Sequence, residues 1–183
     1  MTEQLQLDFD NMIKTSNVSK RNIDSKRNHL KKFIESGFPN RKQEDWKFLD
    51  ISQIIKKNIS NLSFFNDYSL PNKIDSSIFV GGLEHNKIIF INGRIEKIDF
   101  SYEDQNKIEI KDEIEKNISF DFKNSLIDLN STLINKVFKI LVKKNYSLKK
   151  PLIIYHATND KMKSTNINLR LNFELGENSC LRL

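Results

Sequence analysis

The sequence predicts an α+β protein: a mainly helical N-terminal region, then a β-hairpin, then short strands recurring like stacked coils. Three observations carry that reading. Ile23, Leu30, Phe33 and Ile34 repeat at helical spacing and stop at Gly37. Lys87-Ile88-Ile89-Phe90-Ile91 is joined to Arg94-Ile95-Glu96-Lys97-Ile98 by Asn92-Gly93, a pair that accepts the positive φ angles of a type I′ hairpin turn. Ile167, Leu169, Leu171, Phe173 and Leu175 alternate with Asn168, Arg170, Asn172 and Glu174, the period of a half-buried strand. Three regions follow: 1–77, helical with the Trp46 motif and a closing loop; 78–122, short strands with the hairpin; and 123–183, a short helix and the start of a strand core.

Residues 1–15 carry Leu5, Leu7, Phe9, Met12 and Ile13, enough for a short helix or a docked arm. The next helix runs from about Val18 to Ser36, with Lys20, Arg27 and Lys31 along one flank of its apolar stripe. Pro39 prevents its continuation. Arg41 to Asp50 then sets the only tryptophan, Trp46, among six charged residues. An indole buries a large apolar surface but needs a partner for its N–H, which nearby charges can supply. Arg41, Glu44, Asp45 and Trp46 therefore read as a structural clamp or a partner contact. Asp50 can cap a short helix carrying Ile51, Ile54 and Ile55.

Residues 56–77 are polar and irregular, anchored by Phe64, Phe65 and Tyr68. A short strand is expected at Ile78–Val80, before a turn at Gly81-Gly82. The stretch 123–143 has two readings. Leu126, Leu129, Leu133, Ile134, Val137, Phe138 and Leu141 fit one long helix, which periodicity slightly favours. Alternatively the helix stops near Asn135, and Phe138, Ile140 and Val142 alternate as a strand. Pro151 leads into a strand at Leu152–Tyr155, Gly176–Ser179 reads as a turn, and Cys180–Leu183 as the beginning of another strand. A strand left open there exposes backbone donors and acceptors, so the chain is expected to continue past Leu183.

Composition narrows the function classes. The 183 residues are 38% hydrophobic and 10% aromatic, enough for one good core or two small ones. Mean hydropathy is −0.54, and no run approaches the roughly 20 apolar residues of a membrane helix. Met1–Gln6 lacks the basic-then-apolar layout of a signal peptide, so a cytoplasmic location is expected. The net charge is +6, but lysines are spread along the chain and mixed with acids rather than gathered on one face. Lys and Asn are abundant and Ala157 is the only alanine, the composition of an AT-rich coding sequence.

Motifs of catalysis are missing from the sequence: no glycine-rich phosphate loop and no Gly-x-Ser-x-Gly elbow. The long alternating strand offers a single acid, Glu174, where a glycosidase needs paired carboxylates. His29, His85 and His156 are far apart, with no ligand spacing. His29 reads as a surface histidine, and His156 as a structural hydrogen-bonder at a strand end. Cys180, the only cysteine, reads as a small buried apolar residue. Glu103-Asp104 and Asp112-Glu113 read as solvated surface.

One longer pattern remains. Gly37-Phe38-Pro39-Asn40-Arg41-Lys42-Gln43-Glu44-Asp45-Trp46-Lys47-Phe48 resembles the N-terminal signature of the SufD family, components of the SUF iron–sulfur cluster assembly scaffold. Phe90-Ile91-Asn92-Gly93-Arg94, Asp128-Leu129-Asn130-Ser131 and Lys150-Pro151-Leu152-Ile153-Ile154 resemble further elements of that family, in the same order. Glu44-Asp45-Trp46-Lys47 is closer to SufD than to the Glu-Pro-Glu-Trp of the related SufB.

The resemblance implies a helical region leading into the first coils of a right-handed parallel β-helix, and favours a strand over 136–142. It implies a non-catalytic scaffold role, with a SufB-like subunit and a SufC-like ATPase as partners. The iron–sulfur cluster belongs to the whole complex, and the resemblance places no catalytic, cofactor or metal residue in this segment. Nucleic acid and membrane are not expected partners. The alternative is a basic β-rich module that binds nucleic acid or an acidic protein.

Overall fold

The computed structural model describes residues 1–15, 19–65, 76–113, 124–134, 137–159 and 162–183. It is α+β, with four α-helices and two small mixed sheets among these residues. The chain forms two compact units: Met1–Asn66 with Ile114–Lys136 and Ser164–Leu169, and Asp67–Glu113 with Val137–Lys163 and Arg170–Leu183. Tyr68, expected as an anchor, lies outside the described residues.

The first unit holds α1 (Thr2–Thr15), α2 (Lys20–Ser36), α3 (Ile51–Asn58) and α4 (Ser125–Leu133). Three of them start on a side-chain cap. Ser19, Asp50 and Asn124 accept from the N–H groups of Asn22, Gln53 and Leu126, satisfying donors that have no partner inside the helix. Gly37 ends α2 at φ +67°, its N–H donating to the Phe33 carbonyl. The core gathers Leu5, Phe9 and Met12 of α1, Leu30 and Phe33 of α2, Leu129 and Leu133 of α4, and Phe38 and Phe64. Phe38 meets Phe33 edge-on at 5.1 Å and stacks on Phe64 at 6.5 Å. Buried Asp8 accepts from the Phe64 N–H at 2.6 Å and from Gln4 at 2.8 Å, tying the Phe64 backbone to α1.

The second unit holds β1 (Asn86–Ile91), β2 (Arg94–Asp99), β3 (Ile108–Glu113), β4 (Val137–Val142), β5 (Leu152–Ala157) and β6 (Leu171–Leu175). Its sheets have the orders β2-β1-β5 and β3-β4-β6. The hairpin forms as expected, with Asn92 at φ +51° and Gly93 at +79°. The register shifts between Ile89, opposite Lys97, and Phe90, opposite Ile95, so Glu96 is a bulge. The β1–β5 and β4–β6 pairs are parallel, whereas β3–β4 is antiparallel. Phe90 is fully buried and meets Phe138 at 5.5 Å, bringing β1 against β4, and Ile88, Ile140, Val142 and Leu152 are buried in the same unit.

A constant offset links the segments after β4 and β6. Phe138 lies opposite Leu171 and Ser147 opposite Cys180, each 33 residues along. The two turns stack on each other. Asn145 and Asn178 both adopt left-handed backbone, at φ +56° and +55°, and Asn178 Nδ2 donates to Asn145 Oδ1 at 3.2 Å. Leu152 N–H donates to the Arg182 carbonyl at 2.8 Å, so the 180–183 segment runs beside 147–152.

Several expectations need correction. Of the two readings of 123–143 the long helix fails and the helix-then-strand reading holds: α4 ends at Leu133 and β4 begins at Val137. No strand forms at Ile78–Val80, where the chain makes a 3₁₀ turn over Ser76–Ile78 and the Val80 N–H goes to a tyrosine hydroxyl instead of a ladder. The alternating run yields strand only from Leu171, because Ser164–Leu169 belong to the first unit. The 180–183 segment makes an isolated parallel bridge rather than a strand. β3 was not foreseen.

Candidate functional site

The Trp46 turn is built by its backbone. Trp46 N–H donates to the Gln43 carbonyl at 2.9 Å and Leu49 N–H to the Trp46 carbonyl at 2.8 Å. Ser52 N–H donates to the Pro39 carbonyl at 3.2 Å, closing the loop ahead of α3. The ion-pair clamp expected here is not found. Among the described residues no ion pair joins Arg41, Glu44 or Asp45, all exposed, and the Trp46 indole N–H has no hydrogen-bond partner. Trp46 is half-buried, and Phe48 beside it is 86% exposed with Lys47 Nζ 5.0 Å from its ring centre. The turn thus presents a tryptophan, a phenylalanine and Leu49 among charges. Such a surface can make contacts but has no group set for chemistry.

Two polar pairs lie deeper in the first unit. His29 Nδ1 is 2.7 Å from Asp128 Oδ1, both side chains largely buried, so His29 is held by α4 and is not the surface histidine expected. Lys26 is only 4% exposed and donates to the Ser131 and Ile134 carbonyls. It was not singled out in the sequence, although it falls four residues before Leu30 and seven before Phe33, on the buried stripe.

In the second unit Glu103, expected as solvated surface, is the centre of a polar cluster. Its carboxylate accepts from Asn86 Nδ2 at 2.7 Å, the Tyr146 hydroxyl at 2.7 Å, and the N–H groups of Lys149 and Lys150 at 3.0 and 3.1 Å. Tyr146 in turn accepts from the Asp104 N–H at 2.9 Å. Burial opposes the Glu103 charge, but the donors from Asn86, Lys149, Tyr146 and Lys150 outweigh it and hold the carboxyl below the usual range. Burial, reinforced by the Glu103 carboxylate, pushes the Tyr146 phenol up. A carboxylate with four donors is a clip that joins the 100–107 connection to the 143–150 loop, and it has little capacity left to accept a substrate proton.

The clip predicts an acid-sensitive stability. A carboxyl held low in the fold stabilises it above the ordinary glutamate value of about 4.3, and that contribution disappears as pH falls through the lowered value. Glu103→Gln should therefore lower the urea midpoint at neutral pH, and the gap to wild type should close in strong acid. An unchanged gap in acid would show that the Glu103 charge contributes nothing.

The remaining candidates do not converge. His156 is exposed and stacks on Phe90 at 5.1 Å in place of the expected hydrogen bond. Cys180 is exposed, not buried. Among the described residues no three His, Cys, Asp or Glu side chains gather to hold a metal ion, and no helix is long and apolar enough to cross a membrane. Compared with known proteins, the chain matches no protein-family model and no curated sequence.

Proposed function

We propose that the chain is a SufD-like, non-catalytic scaffold component of iron–sulfur cluster assembly, acting in the cytoplasm with a SufB-like subunit and a SufC-like ATPase. The cluster is the cargo of that complex. The observation that carries the reading is the ordered motif series, together with where its members fall. Gly37 ends α2, Trp46 closes the following 3₁₀ turn, and Asn92-Gly93 is the hairpin turn. Asp128 to Ser131 lie in α4, and Lys150-Pro151 leads into β5. The parallel pairs and the 33-residue offset support a finer reading, in which the second unit begins a right-handed parallel β-helix.

Co-expression of the full reading frame with SufB-like and SufC-like subunits from the same cell tests the proposal. A single complex on size-exclusion chromatography is expected, and failure of the three to co-purify overturns it. Retention on DNA that falls steeply with salt would point instead to the basic-module alternative. Many lysines of the second unit face carboxylates, including Lys111 and Lys143 on Glu109, Lys139 on Glu174 and Lys150 on Glu84, which works against a continuous basic face. Phe48 supplies a further prediction. As an exposed side chain its truncation to alanine should change folding stability by no more than about 0.5 kcal/mol, yet reduce recovery of the complex. Full recovery would remove the Trp46 turn as a contact.

A further inference from the structure

We propose that His85 and Tyr155 form an acid-sensitive latch that holds residues 79–83 on the rest of the second unit, and that protonation of His85 releases them. The inference is independent of the scaffold reading.

His85 is 3% exposed, and both its ring nitrogens are engaged. Nδ1 lies 2.6 Å from the Leu83 carbonyl, which can only accept, so Nδ1 carries a proton. In the neutral ring Nε2 is then an acceptor, and the Tyr155 hydroxyl, 2.7 Å away, donates to it. The oxygen of that hydroxyl also accepts from the Val80 N–H at 3.1 Å. Phe79 meets the Tyr155 ring edge-on at 4.9 Å. One tyrosine on β5 thus holds the segment at Phe79 and Val80 directly, and at Leu83 through His85.

Beyond these contacts, Glu84 pairs with Lys150 and Lys87 stands over the Phe79 ring, both at the surface. Ile78, Val80 and Leu83 are each about half exposed, and Gly82 turns the chain at φ +72°. A proton on Nε2 changes it from acceptor to donor. It would then point at an oxygen that already takes the Val80 N–H, and the proton of the Tyr155 hydroxyl would lose its acceptor. The new charge would also be buried without a counter-ion. The charged groups around it are Glu84 next in the segment, Lys87 on β1 and Lys150 ahead of β5. Glu84 is paired with Lys150 at 2.6 Å, Lys87 stands over the Phe79 ring, and no carboxylate contacts the imidazole among the described residues.

Amide exchange of the full chain, followed by nuclear magnetic resonance, tests the latch. Between about pH 7.5 and 5.5, where an imidazole released into water takes up its proton and Glu103 stays ionised, Val80 protection corrected for intrinsic exchange should fall by up to about tenfold while β1 keeps its protection. Imidazole nitrogen shifts at the higher pH should show the Nδ1–H tautomer. In Tyr155→Phe, Val80 should be poorly protected at both pH values. In His85→Asn its protection should not depend on pH. Constant Val80 protection in wild type, the opposite tautomer, or an equal loss across β1 would each overturn the latch.

Discussion

Replacing Gly176 with alanine should lower the melting temperature by about 6–12 °C, a loss of roughly 3 kcal/mol for a chain of this size. An added Cβ would sit 2.5 Å from Lys144 N, 2.8 Å from its Cα and 3.0 Å from the Lys143 carbonyl carbon. All three are backbone atoms of the turn after β4, so no side chain can swing aside. That turn is tied to the Gly176 segment by Gly176 N–H to the Val142 carbonyl and Asn145 N–H to the Glu177 carbonyl, both 2.8 Å. Relief would mean parting the stacked turns and breaking these bonds. Space rather than backbone conformation demands glycine here, because Gly176 has no positive φ. Gly81 is the control: nothing lies within 4 Å of a Cβ there, and its φ is also ordinary. Thermal melting followed by circular dichroism should show a large drop for Gly176→Ala and almost none for Gly81→Ala. Equal melting of the two variants would mean the turns are not in close contact.

Features set by local demands were legible in the sequence, and features set by distant partners were not. Asn92-Gly93 was legible because a two-residue hairpin loop needs positive φ at both positions, a local demand. The caps Ser19 and Asp50 and the stop at Gly37 are local in the same sense. Between 123 and 143 the local pattern misled. Leu129, Leu133, Val137 and Leu141 keep a four-residue spacing across the helix end, but β4 finds β3 on one side and β6 on the other. Those ladders outweigh a weak periodic preference, and Val137, Ile140 and Val142 suit a pleated strand. β3 has only Ile108 and Ile110 before Lys111-Asp112-Glu113, so its strand state depends on pairing with β4 and has almost no signature of its own.

Polar residues were the harder part. Glu103 lies next to Asp104 in a polar stretch, and nothing local separates it from a solvated acid. Its four donors come from β1 and from the 146–150 loop, over forty residues away for the loop. His29 was likewise placed by Asp128, a contact across 99 residues. The charges of the Trp46 motif mislead in the other direction. They suggest ion pairs, yet a 3₁₀ turn closed by backbone hydrogen bonds needs none, and the side chains point to solvent.

Lys26 is the polar residue whose removal should matter most. Its ammonium reaches the Ser131 and Ile134 carbonyls at the end of α4, where carbonyls lack partners within the helix and the helix dipole is negative. Lys26→Met keeps most of the stem and takes the charged donor from both carbonyls. A loss of about 2–3 kcal/mol is expected. Lys26→Ala should lose about 1–2 kcal/mol more, because the stem is buried beside Leu30 and Phe33 and its deletion opens a cavity. Trp46 is the only tryptophan and belongs to the same unit, so its fluorescence in urea can report both variants. An opposing effect makes the outcome informative. Burying an ammonium costs several kcal/mol, and replacing a buried charge by an apolar side chain can be neutral or stabilising. That relief needs a site able to close over the lost donor, whereas carbonyls at a helix end are fixed by the helix itself. The order wild type, Met, Ala therefore follows if the carbonyl bonds outweigh desolvation. A Met variant as stable as wild type would show that they do not, and that Lys26 holds its place through its stem alone.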